Sequence, residues 1–385
     1  MPNNENEVSA ERFEVSRRRF LRNVGAAAAA VPALGLLAEG LLDMPAGAST
    51  AERAAAGRRL ARNGAAVADA VFAKHPAYRL TFVNHVTTNP FFVPTRYGAA
   101  DACALLGCSY SWQGSATSNV AQMVAAFDTA IAARVDGIAT TVIDKSAFIA
   151  PTNRALSSGI PVVAYNASAP SSTAAQNHQM AYVGQDLFQA GVLAGQKILE
   201  VVKKGDLVAG FIATPGSLNI QPRYDGAASV LKPAGVNFPE VATGALLSQE
   251  ATATEAWYLG HKNVKFMFAV DAGSTSSAAT VVEKHSLKGK VFVGGFDFLP
   301  TTVGAVEHGY QLWTIDQQPY LQGFLPVLQL FLYNVSGGLV APTPTDTGLK
   351  FVEKAGIAPY AKKDRYEGSS ASPVTLKPPA TITVA

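Results

Sequence analysis

The 385-residue sequence predicts an α/β protein of doubly wound layers, on three observations. Short apolar runs such as Leu80-Thr81-Phe82-Val83 and Ile160-Pro161-Val162-Val163-Ala164 lack the polar alternation of a half-solvated strand. They read as strands covered on both faces, as in a parallel sheet. Segments with apolar residues at helical spacing lie between them, and repeated β–α–β alternation builds helices onto both faces of such a sheet. Amides, carboxylates and aromatics directly follow the strands, at the rim where open parallel sheets hold their ligands.

The N-terminus is read apart from the fold. Ser16-Arg17-Arg18-Arg19-Phe20-Leu21-Arg22 precedes an apolar stretch from Val24 to Leu37 and the small-residue site Ala46-Gly47-Ala48, the layout of a twin-arginine export signal spanning 1–48. Gly25, Pro32 and Gly35 interrupt the stretch, which is shorter than the ~18–20 apolar residues of a stable membrane span. Neither cysteine lies near the cleavage site, so no lipid anchor is expected. A diffusible exported protein stays useful only in an enclosed space, which points to a periplasm. Residues 49–77 form an Ala/Arg-rich helical lead-in.

From Tyr78 the alternation begins. Leu80–Val83 is a strand, and Pro94–Leu106 a helix with Tyr97, Ala100 and Ala104 on one face. Ser109–Trp112 is the next strand. Val120, Met123, Val124, Phe127 and Ile131 then follow helical spacing. Strands at Gly137–Val142 and Ile160–Ala164 lead to a long helix at Leu187–Val202 and a strand at Leu207–Ile212. Strands at Phe266–Val270 and Val291–Phe296 enclose a helix at Ser274–His285, and Leu312–Ile315 is a final strand. The length past the signal suits two domains of ordinary size.

Composition excludes several functions. Lys plus Arg number 31 against 28 Asp plus Glu, and no dense basic block follows the signal, which argues against nucleic acid as a partner. Cys103 and Cys108 are the only cysteines; a disulfide and two buried thiols both remain open. Without a histidine cluster beside them no zinc site is expected, and no other cofactor is.

The strand-end residues define a chemistry. Asn84, His85 and Thr88-Asn89-Pro90-Phe91-Phe92 follow the first strand, Gln113 and Gly114 the second, and Asn166 the strand ending at Tyr165. Pro215 to Arg223, Asp271, Asp297 and Asp316-Gln317-Gln318 follow later ones. Sugars expose apolar C–H faces and a belt of hydroxyls; Phe91 and Phe92 can cover the faces, while Asn, Asp, Gln and Arg serve the hydroxyls. Charged partners make the stronger bonds, so Arg223, Asp271 and Asp297 carry most weight. Each has a structural alternative: a strand-end Asp can cap the next helix, as Asp297 could for one starting near Thr301, and the two Phe rings can be core.

On these residues the chain resembles the periplasmic ribose-binding protein family, the type I substrate-binding proteins of ABC sugar importers, over Tyr78 to Thr345. Asn89-Pro90-Phe91-Phe92 matches the family motif whose Asn bonds the sugar and whose rings pack on it. Asn166 stands where family members carry Asp, Arg223 precedes Gly226 as the family arginine does, and Asp271 falls at an Asn ligand position. Gly295-Phe296-Asp297 matches the motif whose Asp binds hydroxyls, and Thr314-Ile315-Asp316-Gln317 the hinge segment whose Gln binds the sugar. Ala167 replaces a second arginine, and an aromatic expected near Leu247 is missing. Trp112 could compensate by stacking, and His85 and Asn219 are further rim candidates.

The resemblance implies two lobes, each a parallel sheet flanked by helices, joined by a three-stranded hinge: 78–184 plus 318–346, and 185–317 plus 347–385 with the C-terminal tail. It implies a monomeric, non-enzymatic protein that captures a monosaccharide or polyol in the inter-lobe cleft and delivers it to a membrane ABC permease. Three alternatives are weighed against it. An exported carbohydrate-active enzyme could use Asp271 and Asp297 as paired carboxylates. A transcription regulator would need an N-terminal helix-turn-helix where this chain carries an export signal. A ligand-presenting subunit of a chemosensor is compatible with the same residues.

Overall fold

The computed structural model describes residues 74–169 and 179–361; the segment read as an export signal and most of the expected helical lead-in lie outside them, as does the C-terminal tail from 362 onward. From Ala77 the chain forms one unit built on two six-stranded sheets. The first contains β1 (Arg79–Asn84), β2 (Ser109–Gly114), β3 (Gly137–Thr140), β4 (Val162–Tyr165), β5 (Ala181–Gly184) and β11 (Thr345–Asp346), in the order β11-β5-β4-β3-β1-β2, all parallel. The second contains β6 (Val208–Ile212), β7 (Glu240–Ala242), β8 (Phe266–Ala269), β9 (Phe292–Phe296), β10 (Trp313–Asp316) and β12 (Lys350–Glu353), in the order β12-β10-β9-β8-β6-β7. Only β12 runs antiparallel, against β10.

Helices cover both sheets: α1 (Val93–Leu106), α2 (Val120–Ala132), α3 (Ile149–Ser157) and α9 (Leu321–Ser336) belong to the first, and α4 (Leu187–Ile198), α5 (Gln221–Leu231), α6 (Leu247–Gly260), α7 (Ala272–Lys284) and α8 (Pro300–His308) to the second. The burial of β6 shows why its sequence lacks polar alternation. Val208 and Ile212 pack with Phe266, Phe268 and Trp313 beneath α4 and α5, while Ala209 and Phe211 pack with Met267 and Val293 beneath α6 and α7. Successive side chains point to opposite faces, and both faces are dry. The chain passes between the sheets after β5, between β10 and α9, and between β11 and β12.

Two helix pairs meet backbone to backbone. A Cβ on Gly191 of α4 would lie 2.1 Å from the Arg223 carbonyl of α5, and one on Gly226 of α5 the same distance from the Phe188 carbonyl. Gly98 of α1 and Gly323 of α9 make the equivalent approach in the first sheet's helix layer. This corrects the expected face of α1. Ala100 and Ala104 are exposed and Tyr97 only half-buried, because Gly98, Ala99, Ala102 and Cys103 form the buried face. α4 ends at Ile198 rather than Val202, with Leu199 as its cap. Strands β7 and β11, of three and two residues, are too short to carry a readable periodicity.

Cys103 and Cys108 are free thiols. Burial pushes them up to about 12 and about 11, so neither is a reactive thiolate at neutral pH. Among the described residues no helix is long and apolar enough to cross a membrane.

Candidate functional site

The carboxyl ends of both sheets face one cleft. From the first sheet it is lined by His85, Asn89, Phe91, Phe92 and Asn166; from the second by Asn219, Arg223, Asp271 and Asp297; and by Gln317 where the chain crosses back. Of the candidates, only Trp112 stays away. Its indole stacks on Phe82 at 5.8 Å, tilts against Phe92 at 5.9 Å, and donates Nε1–H to the Thr87 carbonyl. It backs the lining ring instead of meeting the cleft.

On the first sheet's side, Asn89 caps the 3-10 turn Pro90–Phe92, its Oδ1 accepting the Phe91 N–H at 2.9 Å. That bond orients the amide and sets both rings in an edge-to-face pair at 4.7 Å. Asn166 follows β4 at φ 61°, and Asp297 follows β9 at φ 74°. Asn and Asp tolerate this left-handed conformation better than most residues, and here it ends each strand with a polar group facing the cleft. Asn166 Nδ2 donates to Gln322 Oε1 at 3.0 Å and to Gln317 Oε1 at 3.4 Å. Gln317 Nε2 donates to Asp297 Oδ1 at 2.6 Å. One amide thus links the polar groups of the two sheets.

Arg223 is buried at the start of α5. Its Nη1 donates to the Val270 carbonyl at 2.9 Å and its Nη2 to Gln185 Oε1 at 3.2 Å, and the guanidinium lies 4.0 Å from the Phe296 ring centre. Gln185 in turn donates to the Gly348 carbonyl, so Arg223 is tied to two of the three crossings. Among the described residues its Nε has no hydrogen-bond partner. Burial pushes Asp297 up to about 6, with Arg223 opposing the rise. No ion pair within 4.0 Å joins the two among the described residues. A buried cation and a buried carboxylate that attract without touching leave room for a hydroxyl, which can accept from one and donate to the other.

The capping alternatives resolve differently for the two aspartates. α8 takes Leu299 as its N-cap, so Asp297 caps no helix. Asp271 does cap α7, accepting the Ser274 N–H at 2.8 Å and the Ala213 N–H at 2.9 Å. It lines the cleft with both oxygens already held by backbone. Glu250 of α6 also lines the cleft, 2% exposed, and was not among the sequence candidates. A glutamate inside a predominantly polar helical segment reads as solvated, and no local pattern marks it as buried.

Contacts also cross the cleft mouth. Leu218 donates its N–H to the Ile143 carbonyl at 2.9 Å and seats in the first sheet's apolar cluster with Val142, Ile143 and Phe148. Beside it Asn219 Nδ2 lies 3.0 Å from His85 Nε2, and His85 Nδ1 lies 3.1 Å from Thr141 Oγ1. With the amide donating, Nε2 accepts and Nδ1 carries the proton. Burial lowers His85 to about 3. Its ordinary value is near 6.5, so the stability this neutral, buried histidine contributes to the fold is complete above that pH and is lost progressively as pH falls toward about 3, at ~1.4 kcal/mol per unit. Asp297 and Asp316, both raised to about 6, shift stability the opposite way in this range, since protonation relieves their burial. The difference between wild type and His85→Gln therefore isolates the histidine: wild type should lose more melting temperature between pH 6.5 and 4. Parallel profiles would remove His85 from the contact.

Two parallel layers whose polar rims close on one cleft define a two-lobed ligand-binding protein. Comparison agrees. A family model described as a periplasmic binding protein domain matches residues 80–334. The chain is 49% identical over 318 residues to the xylose/arabinose-binding protein of Sulfolobus acidocaldarius, covering 80% of this chain and 78% of that one. A solute-binding protein of an ABC transporter from Burkholderia graminis, solved with D-arabinose, is similar with a TM-score of 0.68 at 26% identity, covering 75% of this chain and 100% of that one. A carbohydrate transporter protein from Acidothermus cellulolyticus, solved with myo-inositol, is similar with a TM-score of 0.67 at 26% identity, covering 75% and 99%. The chain belongs to the periplasmic binding protein family, among the sugar-binding solute-binding proteins of ABC transporters. The enzyme weighed from Asp271 and Asp297 gives way to this assignment.

Proposed function

We propose that this protein is exported by the twin-arginine route to the periplasm, captures a pentose in the inter-lobe cleft, and hands it as a monomer to an ABC import permease. The observation that carries the sugar site is the meeting of Phe91 and Phe92 with Arg223, Asp297 and Gln317 in one cleft. In this reading the rings cover the sugar's C–H faces. Asn89, Asn166 and Gln317 exchange bonds with hydroxyls, and one hydroxyl bridges Arg223 and Asp297. The pentose is favoured by the identity to a xylose/arabinose-binding protein. Ligand contacts on both lobes are complete only when the cleft is shut, so binding shifts the open–closed equilibrium toward the form a permease recognises.

A thermal-shift panel of D-xylose, L-arabinose, D-ribose, D-glucose and myo-inositol tests the ligand. Selective binding at a thousandfold excess over Kd stabilises the native state by ~4 kcal/mol, a rise of several degrees. The expected result is a rise with xylose or arabinose and little with glucose. A rise confined to myo-inositol or glucose overturns the pentose, and no rise with any compound overturns the sugar site.

A further inference from the structure

Glu250 stands in the first turn of α6, where its carboxyl reaches the start of α7. A Cβ on Gly273 would lie 1.4 Å from Glu250 Oε2, so the acid head occupies the space that the missing side chain leaves. It lies beside Asp271, the cap of α7, whose carboxylate helps push it up, and among the described residues its Oε2 is buried without a hydrogen-bond partner. Two neighbouring carboxyl groups in a dry corner resist both being ionised. Asp271 receives two backbone N–H bonds, from Ser274 and Ala213, which favour the charge there and leave the proton with Glu250. The pair borders the same cleft as Arg223 and Asp297.

We propose that Glu250 is a specificity-determining residue of this cleft: it shares one proton with Asp271, and the acid–carboxylate pair forms the wall that a hydroxyl of the bound sugar meets. The proposal rests on the sugar-binding reading above. A neutral acid beside a carboxylate both donates and accepts, which suits a hydroxyl that does the same. It also keeps the wall at a single negative charge, whereas two would repel each other and draw water into the cleft. Burial and Asp271 together push Glu250 up to about 9, so the wall is stable across neutral pH. The other charged groups facing the pair are Arg223 from α5 and Asp297 at the end of β9. Asp297 titrates near 6 and does not account for a change near pH 9, and because burial lowers Arg223, the Glu250→Gln variant is what separates a Glu250 titration from an Arg223 one.

The experiment is calorimetric titration with D-xylose and with L-arabinose between pH 6 and 10, on wild type, Glu250→Ala and Glu250→Gln. Wild-type affinity should be level from pH 7 to 8 and fall toward tenfold per unit above about 9, as ionised Glu250 meets charged Asp271. Glu250→Ala should weaken binding roughly tenfold or more at pH 7. Glu250→Gln, which keeps a donor and an acceptor, should recover most of that loss and abolish the alkaline decline. Unchanged binding by Glu250→Ala overturns the proposal. So does an alkaline decline that persists in Glu250→Gln, because another group would then be titrating. If wild type binds neither xylose nor arabinose, the choice of these two sugars has failed first, and the same three proteins are titrated with whichever sugar raised the melting temperature.

Discussion

Arg223→Ala should eliminate sugar-induced stabilisation and weaken the ligand-free protein. The guanidinium is the positive group that offsets burial of Asp297. It also holds the Val270 carbonyl and Gln185 and covers the Phe296 ring. Removing it leaves Asp297 without its compensating charge, and stranding a buried charge costs ~3–5 kcal/mol. Without Arg223 to oppose the rise, Asp297 in the variant is pushed above 6, so its carboxyl takes up a proton earlier on acidification and the cost falls to its minimum by about pH 6. Arg223→Met separates packing from charge. Methionine refills much of the volume and restores part of the ligand-free stability, but it offers no donor to a hydroxyl. Both variants should therefore show no melting rise with the pentose that stabilises wild type. Wild-type affinity in Arg223→Met would sink the assignment of Arg223 to the ligand.

Gly191→Val should destabilise the second lobe as a whole and damage the site at a distance. The valine Cβ would sit 2.1 Å from the Arg223 carbonyl, a contact backbone cannot yield without moving α5. Even alanine forces that shift; overpacking a core costs ~1–3 kcal/mol, and valine adds two more methyls. Because the atom struck belongs to Arg223, sugar affinity should fall together with stability. Gly304 in α8 supplies the control. Nothing lies within 4 Å of its missing Cβ, so Gly304→Ala should be neutral or stabilising by ~0.5–1 kcal/mol through helix propensity alone. Thermal denaturation of both variants with pentose titration tests the argument, and a Gly191→Ala protein as stable as wild type would refute it.

The layered architecture was legible because burial on both faces leaves a local record. β6, β8 and β9 carry no polar side chain, β1 is interrupted between Leu80 and Val83 only by Thr81, and the helices between them carry spaced apolar residues. The buried face of α1 was not, since Gly98, Ala99 and Ala102 are small and look no more apolar than Ala100 and Ala104. What selects between them is the close passage of α9, a helix far along the chain. Strands β7 and β11 were silent for a simpler reason: three and two residues cannot display a period.

The candidate cleft divides in the same way. Asn89, Phe91, Phe92, Asn166, Arg223, Asp271, Asp297 and Gln317 each follow a strand or begin a helix beyond one, so strand ends named them and the cleft gathers them. By itself the sequence determined the α/β layers and the chemical kind of the rim, because both follow from the local order of side chains along strands and helices. Only the tertiary structure decided that Trp112 backs Phe92, that Glu250 is buried against Gly273 at the start of α7, and that Leu218 and Asn219 reach across to the other sheet. Each of those outcomes depends on a partner from a distant segment, and neighbouring residues carry no trace of what the fold will place opposite them.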